Sequence, residues 1–312
     1  MYFPYLRSKQ YELLALREIV SKWHGSGLVL PIIEPISKTD RDLKLFAKAL
    51  SKAGARYILI ENPSVGARKG EQKYIQSLID SNKALNSKIG IAYIVLKDTK
   101  KSDVARFSAR HSGHKLTLVH REVADDLVEI LKFSAVKDFE YNVVVKGKLI
   151  SQGQISKFPV GNLVVVQDGF LKKPRNADYP SEEKFESLYA VYSELGYAGY
   201  GDFSIVGNNF SDGGGGKLYT VAIHLTVDRQ KDIYTKHFLS EKRDYEDKRD
   251  TLIKEALREA VTFIKSNKRL LDFSIGCQEF VDIYDSGSST SLALLKKYSM
   301  KHHTELMIEL LS

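Results

Sequence analysis

Unbroken apolar runs recur along the chain: LVLPIIEP, ARYILIENP, GIAYIVLKD, KLTLVHRE, NLVVVQDG, YAGYGDFS and LYTVAIHLTV, with YNVVVK among them. Continuous hydrophobicity of this length suits strands that are covered on both faces, as in parallel sheets. The expected strands are LVLPII, residues 56–60, 89–96, 116–120, 141–146, NLVVVQDG, 200–206 and 218–225. Between them apolar residues return at helical spacing, as in Leu43, Phe46, Ala47 and Leu50. Helices are expected over 9–23, 40–53, 71–85, 101–110, 122–134 and 182–195. Strand and helix alternating at this interval imply right-handed crossovers and a parallel sheet. With eight strands the pattern predicts an α/β fold, a closed TIM-like (β/α)8 barrel over residues 1–240. The segment GKLISQGQISKFP is poor in helix signals, so the connection between the fifth and sixth strands is expected to be irregular. Two further helices, 247–267 and 291–311, make a helical C-terminal extension over 241–312. Leu292, Leu295, Tyr298, His302, Leu306 and Leu310 give the last one an apolar face, to pack on the barrel or to serve as an interface.

The strand runs end in polar residues: Glu34, Glu61, Asp98, His120, Asp168, Asp202 and His224. A parallel barrel gathers such ends on its C-terminal rim, where these folds place their chemistry. Glu34, Glu61, Asp168 and Asp202 are therefore the expected carboxylates of a catalytic site. Their oxygens suit Mg²⁺ or Mn²⁺, and water on such a metal can attack a phosphoryl centre. His120 and His224 join them as ligands or proton carriers. Arg121 and Lys146 would counter phosphate charge, with Lys146 alternatively paired to Asp168. The glycines Gly213, Gly214, Gly215 and Gly216 follow the expected seventh strand. There their amides would face a phosphate, although an inert surface turn explains them equally well. Each carboxylate also has a purely structural reading, capping a helix or pairing with Lys97, Arg121 or Lys146.

Composition narrows the class. The 312 residues are 43% hydrophobic and 28% charged, as in ordinary globular proteins. No apolar run approaches the roughly 20 residues needed to cross a bilayer. The opening MYFPYLRSKQ lacks the pattern of a secretory signal. Cys277 is the single cysteine, which excludes an intrachain disulfide and a cysteine-rich zinc site. A reducing cytoplasm fits these features. The net charge of +8 favours an anionic partner. The basic residues are scattered, however, and no zinc-finger or helix-turn-helix pattern accompanies them.

The opening MYFPYLRSKQYELLALRE, PIIEP, ARYILIENP and the later YTVAIHL resemble the bacterial phage-type beta protein family over most of residues 1–240. The resemblance implies a bacterial cytoplasmic protein from a defence-associated setting, acting with a nuclease or the product of a neighbouring gene. It carries no catalytic residue onto this chain. The leading expectation is recognition of a phosphate-bearing ligand or nucleic acid. One alternative is a metal-dependent phosphodiesterase or related hydrolase. Another is a non-enzymatic scaffold whose terminal helices recruit a partner.

Overall fold

The computed structural model describes residues 1–82, 89–210, 219–241 and 248–312. They divide into two compact units, the first comprising residues 1–9, 23–168 and 188–203, the second 10–22, 169–187 and 204–312.

The first unit is the barrel. Its strands are β1 (Tyr5–Leu6), β2 (Ile32–Ile33), β3 (Tyr57–Ile60), β4 (Ile89–Val95), β5 (Lys115–His120), β6 (Tyr141–Lys146), β7 (Leu163–Gln167) and, after an intervening strand of the second unit, β9 (Gly199–Asp202). All neighbours run parallel in the order β1-β2-β3-β4-β5-β6-β7-β9. The seam closes at Tyr2, which bridges both Val29 and Tyr200. Phe3 N–H donates to the Tyr200 carbonyl at 2.8 Å and Tyr200 N–H to that of Met1 at 3.1 Å. The outer connections carry α2 (Arg41–Ala53), α3 (Gln72–Ser81), α4 (Lys101–Arg110) and α5 (Leu127–Val136). The connection from β6 to β7 shrinks to α6 (Gln152–Ile155) and a 3-10 turn, the expected irregularity. Along each strand, alternate residues fill the barrel: Phe3, Tyr5, Ile32, Ile58, Ile60, Ala92, Ile94, Val119, Val143, Val145, Val164, Val166 and Phe203 share one buried cluster. This alternation decides which polar strand ends enter the mouth.

Two expectations, one of a strand and one of a helix, need correction. The barrel's remaining strand is not residues 218–225 but YFPYL at the start of the chain, whose signal is short and interrupted by Pro4. Its partner has glycine at the seam for a steric reason. A Cβ at Gly201 would lie 2.0 Å from the Phe3 carbonyl oxygen, and one at Gly199 would lie 2.3 Å from the Phe3 ring. The segment 182–195, expected as a helix, instead gives β8 (Glu182–Glu186) and a 3-10 turn at Leu188–Ala190. Pairing overrides its helix propensity, because its charges meet opposite charges across the sheet: Lys184 with Asp232 at 2.8 Å and Glu182 with Arg229 at 2.8 Å.

The second unit holds an antiparallel sheet, ordered β10-β11-β8, with β10 at Ala222–Arg229 and β11 at Asp232–Leu239. In β10 Ile223, Leu225 and Val227 bury one face of the sheet, and Thr226, opposite Thr235 of β11, is buried on the other. Residues 204–239 belong with this unit, as do α1 (Gln10–Glu18) and β8, so the unit begins well before the expected boundary at 240. Helices α7 (Arg249–Ser266), α8 (Arg269–Phe273), α9 (Ile275–Asp285) and α10 (Leu292–Leu311) complete it. α10 is central rather than amphipathic: every residue from Lys297 to Ile308 is buried. Its charges are matched. Lys301 reaches Glu18 at 2.6 Å and Glu279 at 2.7 Å. Glu305 accepts the first amides of α9, from Ile275 and Gly276, at 2.9 Å each, where the helix dipole favours an anion.

Candidate functional site

The barrel mouth is organised by Glu34. It follows β2 with the inward parity of Ile32, and it is fully buried. A buried carboxylate needs partners, and both oxygens have them. One accepts the Ser64 amide at 2.7 Å and the Ser64 hydroxyl at 2.8 Å. The other accepts the Tyr5 hydroxyl at 2.9 Å. Two guanidinium groups approach this second oxygen, Arg7 Nε at 3.9 Å and Arg121 Nη1 at 3.7 Å. Neither distance is that of a direct hydrogen bond. The pair therefore offsets the carboxylate's charge through space.

Aromatic rings hold the arginines. Arg7 lies over the Phe203 ring at 5.4 Å and Arg121 over the Tyr5 ring at 5.9 Å, while Tyr5 and Phe203 pack at 4.9 Å. Such cation–π contacts favour a guanidinium that is partly withdrawn from water. Burial, then the Glu34 charge, push the Tyr5 phenol above its usual value, so it remains a donor. Burial opposes the Arg121 charge, but Tyr5 and Glu34 outweigh it and raise its pKa. The loop after β1 is pinned at Ser8, a non-glycine residue at φ 42° whose hydroxyl accepts the Ile36 amide at 2.9 Å.

The structure brings together only some of the expected residues. Glu34 and Arg121 share the mouth, and Asp168 continues the inward parity of Val164 and Val166. Glu61 takes the opposite parity. It points outward to α3 and α4, where it meets Gln72 at 2.5 Å, His111 at 2.7 Å and Arg110 at 3.1 Å. Asp202 also faces outward and accepts the Tyr2 hydroxyl at 2.9 Å. His120, next to inward Val119, turns out against Phe158 and donates to the Asn142 side chain at 3.1 Å. Burial holds it down at about 4, so it is neutral at physiological pH. Lys146 follows the outward parity of Asn142 and Val144, away from Asp168. Asp98 is an exposed loop residue.

His224 lies in the second unit, on β10. Its Nδ1 stands 2.7 Å from Nδ1 of His237 on β11. Burial, then the neighbouring imidazole, lower its pKa well below the ordinary value. Burial also brings His237 to about 4. Gly213 to Gly216 lie outside the described residues. Among the described residues no group of three or more His, Cys, Asp or Glu side chains is placed to hold a metal ion. The four carboxylates expected to share Mg²⁺ or Mn²⁺ are divided between the barrel interior and its outer layer. Cys277 is buried in α9, its thiol pushed up to about 12 by burial.

Tyr5, Arg7 and Ser64 are the mouth residues that strand ends did not reveal. Arg7 becomes visible once YFPYL is read as a strand, because it continues the inward parity of Phe3 and Tyr5. Among the described residues no helix is long and apolar enough to cross a membrane. The chain has the fold of a TIM-like barrel with C-terminal helices, and neither a protein-family model nor a curated protein matches it.

Proposed function

We propose that the barrel mouth recognises an anionic group, foremost a phosphate on a small ligand or on nucleic acid. The observation that carries this reading is the pairing of two aromatic-backed arginines with one buried carboxylate whose hydrogen bonds are already supplied by Ser64 and Tyr5. Guanidinium donors suit phosphate oxygens, and the C-terminal face is where such barrels bind ligands. The net charge of +8 adds long-range attraction. The resemblance of MYFPYLRSKQYELLALRE, PIIEP and ARYILIENP supports a defence-associated setting, with a nuclease or a neighbouring-gene product as partner.

The test compares wild type with Arg121→Gln, using inorganic phosphate, a nucleotide panel and short DNA and RNA strands. Arg121 is the chosen site because 16% of its side chain is exposed, against 4% for Arg7. A hydrogen bond to a charged group is worth about 1.5–3 kcal/mol, so the variant should bind about 10- to 100-fold more weakly. Unchanged affinity in a folded Arg121→Gln protein removes the mouth as the anion site. Equal wild-type affinity for charged and uncharged ligands removes the anion reading itself.

A further inference from the structure

The second unit carries a cross-strand pair of histidines that the barrel mouth does not use. β10 and β11 are joined by Gln230 and Lys231, both left-handed at φ 54° and 75°. That two-residue hairpin geometry sets the strand register, and the register places His224 directly opposite His237. The imidazoles meet through their Nδ1 atoms, 2.7 Å apart. Two lone pairs cannot face each other at that distance, so one nitrogen must carry a proton. Glu183 on β8 indicates which. Its carboxylate is paired with Lys173 at 2.8 Å, and its other oxygen stands 3.3 Å from Nε2 of His237. A carboxylate on that side favours the proton on Nε2 and leaves Nδ1 of His237 as a lone pair. His224 then supplies the shared proton.

We propose that His224 and His237 chelate one borderline divalent cation, of the Zn²⁺, Cu²⁺ or Ni²⁺ class, through their Nδ1 atoms. Imidazole nitrogens select these ions over Mg²⁺. Zn–N bonds of about 2.0–2.1 Å at a tetrahedral angle put the two nitrogens about 3.3 Å apart, so the rings must part by about 0.6 Å. On binding, the His224 proton moves from Nδ1 to Nε2, and both Nδ1 lone pairs meet the ion with no net proton released. Glu183 lies within ion-pair distance of His237 Nε2 without hydrogen-bond geometry, and tightening of that contact on binding would give the carboxylate–histidine–metal arrangement that orients ligating imidazoles. Both rings are already neutral, the form a metal requires. They are also held in place. Tyr179 stacks on His237 at 4.6 Å, and Tyr179 and Phe170 pack edge-on to His224 at 4.7 and 4.9 Å. With two protein nitrogens, the other coordination positions go to solvent or to a ligand.

The experiment uses the full chain without a histidine tag, stripped by a chelator and titrated with Zn²⁺ in a calorimeter. Wild type should take up one saturating equivalent. His224→Ala and His237→Ala should abolish that uptake. Glu183→Gln should weaken it by about 10- to 100-fold at unchanged stoichiometry, the usual effect of losing an orienting carboxylate. His114→Ala, on the barrel unit, should leave it unchanged. Circular dichroism establishes that each variant is folded. Should the histidine variants fail to fold, Glu183→Gln decides: wild-type affinity there overturns the proposal. Absence of saturable uptake by folded wild type overturns it too, as does uptake that survives either histidine substitution.

Discussion

Deleting residues 288–312 separates a recruiting helix from a structural one, and the burial of α10 sets the expected result. The segment removes Leu295, Tyr298, Met300, Leu306, Met307 and Ile308, all buried. Each such side chain contributes about 1.5–3 kcal/mol on burial, so the deletion forfeits about 9–18 kcal/mol. A domain's whole stability is about 5–15 kcal/mol. The lost ion pairs change this little, because Glu18 and Glu279 keep 33% and 27% of their side chains exposed and can be solvated. Loss of Glu305 is costlier, since it uncaps the amides of Ile275 and Gly276. The second unit should therefore unfold, with aggregation on size exclusion and a reduced helical signal in circular dichroism. A milder probe is Met307→Ala at a fully buried site, expected to cost about 2–5 kcal/mol in urea unfolding. A soluble, monomeric truncation with an intact cooperative transition would refute the reasoning. It would instead assign α10 to an interface.

Acid should destabilise the fold through buried neutral imidazoles. Burial lowers His120 and His302 to about 4 each, below the ordinary value, so between pH 6.5 and 4 the unfolded chain binds protons that the folded one does not. Stability then falls as pH falls, by about 2 kcal/mol per imidazole from pH 7 to 5. Urea midpoints at the two pH values check this, and His120→Gln should reduce the difference; a difference no smaller in that variant speaks against the His120 assignment. At the barrel seam, Gly201→Ala puts a Cβ against the Phe3 backbone. Overpacking of this kind costs about 1–3 kcal/mol, whereas Gly113→Ala meets nothing within 4 Å and should leave stability nearly unchanged. Thermal melts of both variants compare the sites, and an unaffected Gly201→Ala would mean that the seam is not closed as described.

Most of the barrel was legible because a parallel strand covered on both faces leaves a run such as YILI or LVVV in the sequence. The exceptions have physical causes. β1 is two residues long and preceded by Pro4, so its run is too short to stand out, although it closes the barrel. β10 contributes to the antiparallel sheet, and its alternation in AIHLTV already distinguishes it from the unbroken runs. EEKFE has helix-forming composition, but its pairing with β11 is made by residues far along the chain, such as Ile233 opposite Glu186 and Lys236 opposite Glu182. Local propensity carries no information about those partners.

The site was harder to read for a reason built into the same strands. A run that is apolar on both faces has no period-two signal, so it does not say which residues look into the barrel and which look out. Glu34 and Glu61 both follow such runs and look equivalent in sequence. One extra residue in the second run reverses the direction: Ile32 and Glu34 share a face, whereas Ile60 and Glu61 do not. The same one-residue step takes Asp202, His120 and Lys146 out of the mouth and leaves Arg121 in it. Arg7 enters from the strand that the apolar pattern concealed. Parity thus replaces an expected ring of four carboxylates with Glu34 and Asp168 facing Arg7 and Arg121. A mouth of the first kind would attract a hard cation. The second kind sets two guanidinium groups beside a carboxylate whose hydrogen bonds come from Ser64 and Tyr5, which is why the proposed ligand is an anion rather than a metal ion.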